Sequence, residues 1–264
     1  MMSTLDTHGG TNGSARTASP AVILGRLIGT ELRLVLREPL VLAFVFAFPV
    51  VTVLVIAGSF AAEDAPDFFG VEPAQWYVAS YLAVVIAAIG LVMVPVHVAS
   101  YRERGVLRRF AAAGFPRWSF AVASIIVGVV LTVVASAVML AVAAPLYGLP
   151  PVERPLWTVA GGLAGAVAFT SIGLLIGSLV PTARAAQAVG LLAFFPSFLL
   201  GGGGPPPDVM GDGLRRMADF LPLTHVTEAV RDPWLGLGTG AADLAVVLAV
   251  LVVSALGWWR AVRL

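Results

Sequence analysis

Cysteine and lysine are both missing from these 264 residues. Without cysteine there are no disulfides, no thiolate metal ligands and no thiol nucleophile. Without lysine, all 16 basic residues are arginine. That excludes a Walker A loop, which sets a lysine on the phosphates of a bound nucleotide. Charge of either sign is scarce, at 12% of residues, against roughly 25% in a soluble domain. A net charge of +1 offers no basic face for nucleic acid.

What the chain has is apolar length. Hydrophobic residues make up 59% of it. Six stretches carry no Asp, Glu or Arg: 39–62, 73–101, 118–152, 155–183, 185–207 and 244–259. A bilayer core about 30 Å thick takes about 20 apolar residues as helix. The pattern predicts an all-α membrane protein with six transmembrane helices near 41–60, 76–98, 118–144, 156–180, 187–203 and 241–259. Residues 1–19 are polar and lack the charged-then-apolar order of a signal peptide. They read as a disordered leader, and 20–264 as one membrane domain.

Arginine sets the orientation, because short cytoplasmic loops collect it. With both termini cytoplasmic, twelve arginines fall inside and four outside. The inner set includes five between residues 100 and 117 and single Arg184. The outer set is Arg154, Arg215, Arg216 and Arg231. The first outer loop adds Glu63, Asp64, Asp67 and Glu72. Trp76, Tyr77, Trp118, Trp157, Trp258 and Trp259 stand at span ends, where interfacial aromatics belong. A multi-pass protein of the cell membrane, in contact with lipid throughout, is the expectation.

The stretch SYRERGVLRRFAAAGFPRWSF, residues 100–120, concentrates Arg102, Glu103, Arg104, Arg108, Arg109 and Arg117 between two charge-free runs. On a wheel of 100° per residue, Val106, Leu107 and Phe110 share a narrow apolar arc. The arginines lie opposite, and Glu103 falls inside the apolar arc. One reading is an interfacial helix snorkelling its arginines to headgroups. The other is a docking helix, residues 101–114, whose partner supplies donors to Glu103.

Those residues also resemble the first cytoplasmic loop of type-2 ABC exporter permeases, the group containing the daunorubicin, O-antigen and teichoic-acid exporters. The match runs through Glu103, Arg104, Gly105, Leu107, Arg108, Arg109 and Pro116, with Val106 where threonine is common. TELRLVLREPLVLAFVFAFPV is similar to the family's interfacial helix leading into the first span, through Arg37, Pro39 and Pro49. FLPLTHVTEAVRDPWLG is similar to its external segment before the last span, through Pro222, Glu228 and Arg231. The resemblance implies an amphipathic N-terminal helix, a cytoplasmic coupling helix seated in an ATPase subunit, and an external re-entrant hairpin. Arg102, Glu103, Arg104, Gly105, Leu107, Arg108 and Arg109 become coupling residues. It implies two permease copies, or a paired different permease, with a separate Walker A/B ATPase that binds the ATP. Efflux of an amphipathic drug, lipid or lipid-linked glycan is the expected activity, including multidrug resistance. No cofactor is expected on this chain, and no catalytic residue. A six-span membrane enzyme, a ligand-binding immunity factor and a gradient-driven transporter are the rivals.

Other residues weigh less. His225 and Glu228 are three apart on one helical face, but two ligands do not make a metal site. Thr224 fits a cap for the helix after Pro222, and Glu228 a partner for Arg231. His97 sits near the inner end of the second span with no acid in any span to relay to, which disfavours proton coupling. The run GGGGPPP, 201–207, reads as a helix terminator and flexible turn. Gly161 with Gly165, and Gly173 with Gly177, are two GxxxG pairs in one span, suited to close helix packing. Pro49, Pro95 and Pro196 interrupt backbone bonding in three spans.

The missing lysine makes a direct prediction. The homogeneous chain hydrolyses no ATP in the presence of magnesium; saturable, stoichiometric turnover that copurifies with it would refute this.

Overall fold

The computed structural model describes residues 20–35, 39–60, 68–112, 116–206 and 210–263. The leader, Arg37, Pro207 and the acids Glu63, Asp64 and Asp67 lie outside the described residues. The described chain is helical, with one isolated bridge between Phe68 and Val71. The helices are α1 (Pro20–Val35), α2 (39–59), α3 (Pro73–Glu103), α4 (Val106–Ala112), α5 (Arg117–Tyr147), α6 (Pro155–Leu179), α7 (Ala183–Leu200), α8 (Asp212–Asp219), α9 (Pro222–Leu235) and α10 (Ala241–Arg263). Proline opens α3, α6 and α9, where its missing N–H costs nothing.

Five helices are long and apolar enough to cross a membrane: α3, α5, α6, α7 and α10. The expected first span, near 41–60, falls on α2, whose apolar helix Ala43–Ser59 is shorter than those five. It still joins the bundle, through Phe44 and Phe48 packed on Phe194 and Phe198 of α7.

Two π-helical segments, Ala43–Ala47 and Ala88–Met93, precede Pro49 and Pro95. The cause is local. A proline ring collides with the carbonyl four residues back and cannot donate to it; here those carbonyls belong to Val45 and Leu91. Widening the helix by a residue removes the collision. It also leaves backbone oxygens of α3 accessible to neighbouring helices.

The glycines of α6 use that opening. A Cβ on Gly173 would lie 2.2 Å from Gly90 O, and one on Gly177 would lie 2.7 Å from Pro95 O. From α7, a Cβ on Gly190 would lie 2.2 Å from Leu91 O. The other pair faces α9, with a Cβ on Gly161 2.2 Å from Ala229 O and one on Gly165 2.6 Å from Val226 Cγ1. The two GxxxG pairs thus serve two different neighbours. In lipid, where apolar burial drives nothing, such close approach is a main source of association. α3 is the hub, with 78% of its most apolar stretch buried, against 11% for α10.

Two expectations change at the α9 end of the bundle. Trp76 and Tyr77 are each 1% exposed, so they pack within the protein and not at a lipid interface; Trp118, Trp157 and Trp259 do remain exposed. The glycine run does terminate α7, but it is held. Tyr77 and Tyr81 donate their hydroxyls to Gly204 O and Gly203 O, each at 3.1 Å, and Thr227 donates to Gly201 O. A Cβ on Gly203 would meet the Phe198 ring at 2.1 Å. Glycine is there for close packing more than for flexibility.

Adjacent glycines allow a controlled test. Gly161→Ala drives a methyl into Ala229 O and should cost about 1–3 kcal/mol. Gly162→Ala meets nothing within 4 Å and should be neutral or gain up to about 1 kcal/mol from helix propensity. Unfolding titrations in detergent compare the two; equal losses would show that the α6–α9 contact is not close.

Candidate functional site

The charged stretch is not one helix. α3 ends at Glu103, Gly105 takes φ +69°, and α4 begins at Val106. The positive φ is a left-handed helix stop that glycine adopts without strain. Space does not dictate the residue, since a Cβ there would meet nothing within 4 Å. A wheel drawn across 101–114 therefore mixes two helices, and the position it assigns to Glu103 does not apply.

Beyond the reach of any wheel, Arg102 donates Nη1–H to Gly177 O at 3.1 Å and to Val180 O at 3.0 Å. These carbonyls close α6, where a helix leaves oxygens without intrahelical donors. Glu103 Oε2 accepts the Ala183 N–H at 3.1 Å, an orphan donor at the start of α7. Thr182 Oγ1 accepts another, from Ala185, at 3.2 Å. A cation on a helix C-terminus and an anion on the following N-terminus both match the macrodipole. Two neighbouring residues thus grip the turn between α6 and α7. The donor expected from a partner for Glu103 comes from this chain instead.

The remaining residues of the stretch divide by exposure. Arg104, Arg108 and Arg109 are exposed, while Val106, Leu107 and Phe110 are half-buried. Leu107 packs on the core. α4 makes its main contact with the end of α3, so it stands as a short basic ledge beside the gripped turn.

A second polar feature adjoins this end. Glu31 on α1 is 2% exposed and pairs with His97 of α3. The Tyr101 ring lies 4.4 Å from the His97 ring, centroid to centroid. Glu31 Oε1 and Ser124 Oγ have no hydrogen-bond partner among the described residues, and both line a cleft with Val35, Met93 and Val94. The acid absent from the spans reaches His97 from the N-terminal helix. The sequence held a signal for it: Leu27, Glu31 and Val35 are four apart, and all three are buried. An acid on the apolar stripe of an amphipathic helix marks a buried partner.

At the opposite end, α9 brings Glu228 and Arg231 against α3. Arg231 is 7% exposed, 4.5 Å above the Trp76 ring, and its Nη2 lies 2.7 Å from Asp232 Oδ1. Its ion-pair partner is thus Asp232, and not the Glu228 that helical spacing suggested. Burial pushes the Glu228 carboxyl up to about 7; Arg231 opposes the push and Asp243 adds to it. Burial raises Asp232 as well. Pro222 starts α9 with Leu221 as its cap residue. Thr224 does not cap; its hydroxyl donates to Ala218 O at 2.6 Å.

An all-helical bundle with five spanning-length apolar helices is a multi-pass membrane protein. The chain belongs to the ABC-2 type transporter family, whose model matches residues 24–234, and it is accordingly a transmembrane permease. The matched range contains the gripped turn, α4 and all but the last residue of α9. No curated protein matches the chain closely enough to name as a relative.

The grip is testable by hydrogen exchange. Glu103→Ala should free the Ala183 amide, costing about 1 kcal/mol of local stability and speeding its exchange roughly fivefold. Arg102→Ala should loosen the last turn of α6 in the same way. Native exchange over 177–186 in both variants would show that the grip is absent in solution.

Proposed function

We propose that the chain is the permease subunit of an ATP-driven exporter, and that α4 with the gripped turn is where an ATPase subunit drives it. The observation that carries this is the placement of Arg102 and Glu103. They tie the end of α3, which carries the basic ledge, to the ends of α6 and α7. A push on α4 passes through the Arg104–Gly105 turn to the end of α3, and from there to two membrane helices at once. Arg108 and Arg109 on the ledge and Arg104 just before it are exposed and supply the docking charge. Family membership supports the same reading, and the missing lysine supports ATP binding on a separate chain.

In this reading the arginine-rich end faces the cytoplasm, with both termini on that side of the cell membrane. α8 and α9 form the external hairpin before the last span, with Pro222, Glu228 and Arg231 in its second helix. Two permeases, identical or paired, flank the pathway. The cargo is an amphipathic compound, such as a drug, lipid or lipid-linked glycan. A gradient-driven transporter is the weaker alternative, resting on the Glu31–His97 pair alone.

Reconstitution with the cognate ATPase in vesicles tests the proposal through two separable variants. Arg108→Ala with Arg109→Ala removes exposed charges, each worth about 0.2–1 kcal/mol. The pair should therefore weaken ATPase binding by up to about 30-fold. Arg102→Ala and Glu103→Ala should keep the ATPase bound but lower the fluorescent amphiphile exported per ATP hydrolysed. Native export per ATP in both of the latter variants would overturn the coupling role.

A further inference from the structure

Helical spacing brings only His225 and Glu228 together, but the fold adds a third donor. Asp243, in the first turn of α10, comes to 2.9 Å from His225 Nδ1. One ligand atom from each of His225, Glu228 and Asp243 lies within 4.8 Å of the others. All three are half-buried at the end of the bundle remote from Arg102. We propose that they form a binding site for a divalent metal ion of borderline softness, of the zinc type, which ties α9 to α10.

The orientation of His225 is the first support. Its Nε2 lies 3.0 Å from the Asp219 carbonyl, just before α9. A carbonyl only accepts, so Nε2 carries the proton. In the neutral ring, Nδ1 is then a lone pair, and it is aimed at a carboxylate, which is also an acceptor. A proton or a metal ion must lie between them. A histidine that donates one nitrogen to a backbone carbonyl and offers the other to a cluster of carboxylates has the outer-shell arrangement of metal-ligating histidines.

Charge and space are the second support. Three carboxylates converge here, Glu228, Asp232 and Asp243. The nearby cation Arg231 is engaged by Asp232 and by the face of Trp76. Neither Glu228 nor Asp243 forms an ion pair with an arginine among the described residues, so both carboxylates are available to a dication. Glu228 also lines a cavity with Trp76, Thr224 and Thr227, which has room for about one or two waters. The Trp76 indole N–H is buried and has no acceptor among the described residues. The cavity therefore holds polar space beside Glu228, the member of the three that lines it. One imidazole and two carboxylates select zinc-type ions over calcium and magnesium, which take all-oxygen shells.

The test uses the full chain in detergent, carrying a tag without histidine and stripped with chelator. Calorimetric titration with zinc chloride alone should show one saturable site per chain, and zinc should raise the melting temperature where magnesium does not. His225→Ala should lower zinc affinity about tenfold or more. Glu228→Gln and Asp243→Asn, which preserve shape, should do the same while melting like the native chain without metal. The proposal is overturned if the folded native chain has no saturable zinc site, if magnesium or calcium competes at equal concentration, or if the two shape-preserving variants keep native zinc affinity.

Discussion

The contact between α3 and α6 is the constraint on which the rest of the bundle depends. Lipid offers backbone groups no hydrogen-bonding alternative, so every spanning segment must satisfy its own by forming helix. Once formed, such helices gain nothing by hiding apolar surface from tails that are equally apolar. They need direct backbone approach. Gly173 and Gly177 bring α6 onto the stretch of α3 that Pro95 has widened, and Gly190 brings α7 onto the same stretch from another side. A proline that breaks a hydrogen bond in one helix thereby creates the surface on which two others sit. Gly161 and Gly165 then hold α9 against the other half of α6.

This arrangement explains why charge stays at the two ends. The middle of the bundle is closed by glycine against backbone and leaves no room for a solvated side chain. At one end, Arg102 and Glu103 meet helix termini, whose unsatisfied carbonyls and N–H groups are the polar partners available near the membrane edge. At the other end, Arg231 is held between Asp232 and the Trp76 face, and His225 between Asp219 and Asp243. Glu31 pairs with His97 across α1 and α3 through one carboxylate oxygen, the other having no partner among the described residues. Among the described residues these charges meet specific groups: across elements for Arg102, Glu103, Glu31 and His225, and for Arg231 both within α9 and across to α3.

Those matches connect the ends to the helices between them. The Arg102–Glu103 grip spans the boundary of α6 and α7, and α6 is the helix that also contacts α3 and α9. The Arg102 and Glu103 contacts thus join the end of α3 that carries α4 to the helix packed against both α3 and α9.

The apolar runs, the glycine pairs of α6 and the arginine asymmetry were legible in the sequence. Each is set by solvent or by local spacing: a bilayer demands a length, and close approach demands a small residue. The breaking of the 101–114 helix was written in Gly105, but helix periodicity passes over a single glycine. Tertiary structure alone decided the partners. Arg102 and Glu103 find theirs some 75 to 80 residues away, Glu31 finds His97 at 66, and His225 finds Asp243 at 18. Spacing on one helix governs which side chains share a face; which helix end or side chain they meet depends on how helices pack, and that is set by glycine contacts distributed over the whole chain.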